Sequence, residues 1–221
     1  MAGQVNRQSF LGEYIYHLAL KKEFTTFVEV GTWNGEGSTK CFMDGILSRL
    51  DESCLYSIEA NIEFYNQALK YWQPTLSTLR FPFPKLHILY GRLIETEELT
   101  SEEEIRNHKI FHKQPWLTWR SRNIEEYGQC ENIINKIPDG IDVLFLDGGQ
   151  FSTLAEWNRL KSRTKVVLLD DTTTFKTEKI REEIMEDSAN WTVVFDTIDD
   201  RNGIFMACQT EFLHIVKNHK I

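Results

Sequence analysis

The run Phe27-Val28-Glu29-Val30-Gly31-Thr32-Trp33-Asn34-Gly35-Glu36-Gly37-Ser38-Thr39 constrains the fold of this chain more than any other stretch. A short β-branched segment ends at an acid, turns through three glycines and reaches Ser38 and Thr39, which suit the cap of a helix beginning near Lys40. The pattern predicts a strand, a tight loop and a helix start. Glycines let the backbone take positive φ and let a ligand approach where a Cβ would intrude, and a helix N-terminus offers free N–H groups to an anion. A dinucleotide-binding turn needs Gly-x-Gly-x-x-Gly, whereas Trp33 stands at the second glycine position, where a pyrophosphate must approach. The loop is therefore expected to hold a ligand other than a dinucleotide.

Further strands end in the same way. Cys54 to Glu59 stops at an acid, Leu86 to Gly91 at a glycine, Ile141 to Asp147 at an acid and Lys165 to Asp171 at two acids. The last two are apolar on both faces, as buried parallel strands are. Helical spacing falls between them at Gln8–Lys22, Lys40–Arg49, Phe64–Tyr71, Ser152–Lys161 and Thr177–Asp187, with a loop bearing Pro74, Pro82 and Pro84 before the third strand. Trp191 to Phe195 and Arg201 to Ala207, joined by the short Asp196–Asn202 segment, read as a closing antiparallel hairpin. The expected architecture is α/β: a Rossmann-like, doubly wound, mostly parallel seven-stranded sheet with helices on both faces. Its ligands belong in the crevice outside the carboxyl ends of the strands, where the acids gather.

Length allows one such domain over residues 1–221. The net charge of −8 repels phosphate backbones, so no nucleic-acid partner is expected. Cys41, Cys54, Cys130 and Cys208 form no C-x-x-C pair, no apolar run approaches the length of a membrane span, and residues 1–9 lack a signal-peptide core. A cytoplasmic protein with free thiols and no membrane partner is the expectation.

Residues 94–136 exceed what a β-α-β crossover needs and read as an insertion forming a substrate lid at the mouth of the site. Ser101-Glu102-Glu103-Glu104 starts an acidic helix. The segment from His108 to Arg122 concentrates aromatic and basic groups, and Trp116 and Trp119 suit either a stacking platform or anchors that hold the lid to the core. His108 and His112 lie one helical turn apart but lack a third metal ligand nearby.

Glu29-x-Gly31-x-x-x-Gly35-x-Gly37 resembles the first motif of class I S-adenosylmethionine-dependent methyltransferases. The resemblance implies that Glu29, Gly31, Thr32, Trp33, Gly35, Gly37 and Ser38 surround the methionine end of the cofactor, that Glu59 holds its ribose diol, and that Asp147 also contacts it. A strand ending in Asp147-Gly-x-x-x-Ser152 followed by one ending in Asp170-Asp171 looks like the subgroup of macrocin-type sugar O-methyltransferases and their cephalosporin-hydroxylase-like relatives. The resemblance implies that the matching carboxylates, here Asp147, Asp170 and Asp171, bind a divalent cation, with magnesium the expected ion. Convergent acids are costly unless something positive sits among them, and magnesium takes oxygen ligands. Relatives commonly read Asp-Gly-Asp-His at the first of these turns, where this chain has Gly149 and Gln150. Asp147 and, from the insertion, His112 are then the candidate catalytic groups. The resemblance spans about Phe24 to Ala207 and leaves out the insertion.

The function expected is transfer of the methyl of S-adenosyl-L-methionine to a sugar hydroxyl of a glycan or glycosylated metabolite, leaving S-adenosyl-L-homocysteine. The alternatives are a non-methylating, metal-dependent, hydroxylase-like activity, or a non-catalytic cofactor-binding module of a larger glycan-building protein. A homo-oligomer, or service as one domain of a longer protein, fits either class.

Overall fold

Strands apolar on both faces are satisfied only inside a sheet covered on both sides. The computed structural model, which describes residues 5–78 and 85–217, has that arrangement. Strands β1 (Thr26–Val30), β2 (Cys54–Glu59), β3 (Leu86–Tyr90), β4 (Ile141–Leu146), β5 (Thr164–Asp170), β6 (Trp191–Thr197) and β7 (Ile204–Gln209) form one sheet in the order β3-β2-β1-β4-β5-β7-β6. The first five are parallel, and β7 inserts antiparallel between β5 and the edge strand β6. Registers Glu59↔Tyr90, Val30↔Ile58, Val30↔Leu146 and Leu146↔Leu169 bring the carboxyl ends of the parallel strands to one rim.

Alternate residues of each strand feed two apolar layers. Phe27, Leu55, Val143, Phe145, Val166 and Leu168 face helices α1 (Phe10–Leu20) and α2 (Ser38–Ile46), meeting Leu11, Ile15, Phe42 and Ile46. Val28, Ile58, Leu144, Leu146, Val167 and Leu169 face α6 (Thr153–Leu160) and α7 (Glu178–Glu186), meeting Trp157, Leu160, Ile180 and Ile184. Helix α3 (Ile62–Thr78) crosses from β2 to β3, and α8 (Leu213–Lys217) follows β7. Helix α3 starts at an Asn61 cap, whose side-chain oxygen accepts from the Glu63 and Phe64 amides at 2.9 and 3.2 Å. It also runs through Pro74, where the sequence predicts a loop. The Ser77 and Thr78 hydroxyls donate to the Pro74 carbonyl and keep the last turn closed. Pro82 and Pro84 lie outside the described residues.

The insertion is helical and has its own core. Helices α4 (Glu102–Asn107) and α5 (Trp116–Gln129) are joined by short 3-10 turns, and Ile94, Leu99, Ile105, Ile110, Trp116 and Tyr127 pack on Phe151. Ser101 and Glu104 close a capping box at the start of α4, as its acidic opening suggests. Trp116 is an anchor: it is buried, donates Nε1–H to the Ile110 carbonyl at 2.9 Å, and meets Trp119 edge-on at 5.0 Å and Phe175 at 5.2 Å. Arg92, directly after β3, fastens the far end of α5 by donating to the carbonyls of Tyr127 and Cys130.

Candidate functional site

The glycine loop folds as its residues require. Gly31 adopts φ +99°, and a Cβ there would lie 2.4 Å from the Asp147 carbonyl oxygen, so the loop sits directly on the end of β4. The amides of Gly31 and Thr32 donate to the Ile58 carbonyl at 2.9 and 3.2 Å, which extends the β1–β2 pairing into the loop. Gly35 takes φ +79° over Trp72, whose indole N–H donates to the Gly35 carbonyl at 2.9 Å. Trp33 takes the left-handed φ of +49°, unusual for a residue with a Cβ, and stands exposed with its ring edge toward Phe64.

This loop borders a cleft of about 320 Å³ along the rim of the sheet. Its walls are Gly31, Trp33, Glu59, Ala60, Asn61 and Phe64 on one side, Gly91, Arg92 and Leu93 beyond β3, and Asp147, Gly148 and Gly149 beyond β4. The insertion contributes Asn123, Glu126 and Tyr127 from α5, so it is part of the cleft wall. Glu59 accepts from the backbone amides of Trp33 at 2.7 Å and Asn61 at 2.9 Å. Burial pushes its carboxyl up to about 7 although those two amides favour the charged form.

Several expected cofactor contacts sit elsewhere. Glu29 is fully buried beneath the loop, not on the cleft wall, and accepts from the hydroxyls of Thr39 and Ser57, each at 2.6 Å. Burial raises its pKa. It ties the loop to α2 and β2, and period-two alternation explains why: the residue two places from Phe27 shares its face. Thr32 is buried as well, its hydroxyl 2.6 Å from that of Ser57. Gly35, Gly37 and Ser38 lie behind the cleft wall; they shape the loop and the start of α2. Of the expected set, Gly31, Trp33, Glu59 and Asp147 line the cleft.

His112 is exposed in the 3-10 turn Phe111–Lys113, away from the cleft wall. His108 pairs with Glu178 at 2.7 Å and packs on Phe175, so it helps seat the lid. Neither histidine is among the residues that line the cleft. A carboxylate the sequence did not mark does stand there: Glu156 on α6 is buried, its Oε1 accepts from the Tyr127 hydroxyl at 2.8 Å, and its Oε2 has no hydrogen-bond partner among the described residues. Burial pushes its carboxyl up to about 7.

Asp147, Asp170 and Asp171 converge as expected, each offering an oxygen within 4.8 Å of the others. Two cations missed by sequence reading compensate them. Lys176, only 4% exposed, places Nζ against both Asp147 and Asp171, at 3.0 Å from the latter. Arg201 grips both oxygens of Asp170 at 2.6–3.1 Å. Burial alone would lower Lys176, but the three carboxylates outweigh it and hold the ammonium protonated. Burial likewise acts to raise Asp171, and Lys176 together with Asn202 keeps it below the ordinary range. Asp171 and Arg201 both adopt left-handed φ, +61° and +56°, at the turns that bring these charges together. A magnesium ion needs carboxylate oxygens at about 2.0–2.1 Å in an octahedron. With Nζ seated on two of the three acids, the residues as they stand do not fit one.

No protein-family model and no curated protein matches the sequence. Solved structures do match. An O-methyltransferase from Bacillus cereus in complex with SAH is 13% identical with a TM-score of 0.57, over 93% of this chain and 83% of that one. The SAH-bound methyltransferase PaMTH1 of Podospora anserina is 10% identical with a TM-score of 0.58, over 90% and 78%. The O-methyltransferase TomG of Streptomyces achromogenes, involved in tomaymycin synthesis and solved with SAM, is 13% identical with a TM-score of 0.55, over 90% and 79%. At such identities the likeness is one of fold, and the fold is that of these methyltransferases.

Proposed function

We propose that the chain is an O-methyltransferase that uses S-adenosyl-L-methionine and accepts a sugar hydroxyl of a glycan or glycosylated metabolite. The observation that carries the donor assignment is the cleft itself: a glycine loop pressed onto Asp147, an acid at the end of β2, and helix α5 of the insertion completing the wall. Gly31 and Trp33 would border the methionine portion and Glu59 the ribose diol, to which a carboxylate can accept two hydrogen bonds. The reaction is an in-line displacement: the sulfonium–methyl bond breaks as the oxygen–methyl bond forms, and the sulfur keeps the electron pair. The acceptor proton must leave, and Asp147 and Glu156 are the carboxylates on the cleft wall near the post-β4 loop.

Support for a sugar acceptor is the sequence resemblance at the two acidic strand ends. The net charge of −8 disfavours a nucleic-acid acceptor. No helix among the described residues is long and apolar enough to cross a membrane, and Cys41, Cys54, Cys130 and Cys208 are free and buried, which suits the reducing cytoplasm. The divalent cation of the resembling subgroup would have to be held by Asp147, Asp170 and Asp171 after displacing Lys176, so no step is drawn through it. Calorimetric titration with S-adenosyl-L-methionine tests the donor, and absence of binding heat at several temperatures removes it. Release of S-adenosyl-L-homocysteine across a panel of glycans and nucleotide sugars tests the acceptor class, and release only with non-sugar phenols or catechols would replace it.

A further inference from the structure

Three buried or half-buried acids at adjacent strand ends demand positive charge, and the chain supplies it from its own side chains. Lys176 does not reach the acids as a loose surface lysine. The segment after β5 is pinned on every side: the Thr172 and Thr173 amides donate to the carbonyls of Gly203 and Asn202 at 3.1 and 2.9 Å. The Thr174 hydroxyl donates to the Gln150 side chain at 2.9 Å, and the Thr177 hydroxyl to the Asp170 carbonyl at 2.8 Å. Lys176 is thereby delivered into the space among the carboxylates, where a hard cation would otherwise sit.

Arg201 completes the set. It grips both oxygens of Asp170 in a bidentate clamp, which sets a second fixed cation against the cluster. Asn202 donates to the remaining side of Asp171 at 2.8 Å. Gln150 stands beside these groups bonded to Thr174, so the loop after β4 reinforces the lysine-bearing segment. The assembly is a closed polar network with its cations built in.

We infer that Lys176 is the resident cation of this site: its ammonium occupies the position a divalent metal would take, and the chain works without one. The geometry assigns Lys176 a positioning role, holding Asp147 at the cleft wall by neutralising it from behind. The inference rests on the methyl-transfer reading only for its activity arm; metal binding is tested independently.

The experiment is a titration of the full-length chain with Mn²⁺, followed by the loss of the free-ion electron paramagnetic resonance signal. Wild type is expected to leave Mn²⁺ free at millimolar concentrations, whereas Lys176→Ala, folded by circular dichroism, takes up one ion that Mg²⁺ displaces and that Asp171→Asn in the same background abolishes. Saturable uptake by wild type that Asp170→Asn or Asp171→Asn removes would overturn the inference, as would a folded Lys176→Ala that binds no ion. If Lys176→Ala does not fold, Lys176→Met serves in its place and the wild-type titration alone still decides. Where methyl transfer is measurable, wild-type turnover is expected to be unchanged by a chelator. Failure to bind S-adenosyl-L-methionine would sink the proposed function while leaving the Mn²⁺ result standing.

Discussion

Tyr127 on the lid donates its hydroxyl proton to Glu156 on the sheet-packing helix α6 across 2.8 Å, and both side chains are buried. The bond joins the insertion to the core at the wall of the cleft. Tyr127→Phe keeps the ring and strands a buried carboxylate. It should destabilise the chain by roughly 1–3 kcal/mol in urea unfolding, and α5 amides should exchange faster than those of β4.

Glu156 also ties stability to pH. Burial raises its folded-state carboxyl to about 7, whereas the unfolded value is about 4.3. Between these values the folded chain keeps a proton that the unfolded chain has released. The associated stability is therefore present at low pH and is lost as pH rises from about 4.3 to about 7. The drop attributable to Glu156 is at most roughly 4 kcal/mol. Glu59, also pushed up to about 7, contributes in the same direction. Denaturant melts at about pH 5 and about pH 8 should show the fall in wild type and a shallower one in Glu156→Gln. An identical slope in the variant would clear Glu156 of the effect.

Glu59 grips two loop amides on the rim where a ribose diol would dock. Glu59→Ala is expected to weaken S-adenosyl-L-methionine binding by roughly 10–100-fold, the loss of one or two charge-assisted hydrogen bonds. Glu29→Gln, behind the wall, should act differently: the chain loses stability or loop order, while affinity at saturating cofactor stays close to wild type. Calorimetry paired with thermal melts separates the two.

Two glycines offer a contrast in one experiment. Gly31→Ala would force a Cβ to within 2.4 Å of the Asp147 carbonyl at φ +99°, and should cost roughly 3 kcal/mol or prevent folding. Gly128→Ala in α5 meets nothing within 4 Å and should stabilise by about 0.5–1 kcal/mol. Unfolding midpoints check both.

Arg92 holds the last turn of α5 by its carbonyls and also pairs with Glu95. Arg92→Lys keeps the charge but cannot span both carbonyls and Glu95 at once. Hydrogen exchange should report a looser lid in this variant, with a weaker cofactor affinity and an unchanged far-ultraviolet spectrum.

The sheet was legible because β4 and β5 are apolar on both faces and each stops abruptly at acids, a pattern that leaves little choice of fold or of rim. The hairpin was legible from Asp196–Asn202, too short for a crossover. The compensating charges were harder to see. Lys176 lies in a threonine-rich stretch with nothing local to show that it turns back, and Arg201 meets Asp170 only because β7 pairs antiparallel with β5, placing Ile204 opposite that acid. A signal existed nonetheless: three converging acids require cations, and both the post-β5 stretch and the hairpin turn contain one. The side of the sheet that Glu29 faces was not legible, because an acid at a strand end can face either side, and only its register with Ser57 shows that it lies under the loop. Glu156 and Tyr127 meet across 29 positions, a separation at which periodicity carries no information.

The late arrival of Arg201 bears on how this molecule matures. Because β7 slots between β5 and β6, the guanidinium that quiets Asp170 belongs to the turn leading into a strand synthesised after the rest of the sheet. A nascent chain halted before that turn would have β1 to β6 in hand yet carry an uncompensated carboxylate in its interior, a state that resists compaction. The charges on the carboxyl rim of the sheet are therefore balanced only once the β6–β7 hairpin docks.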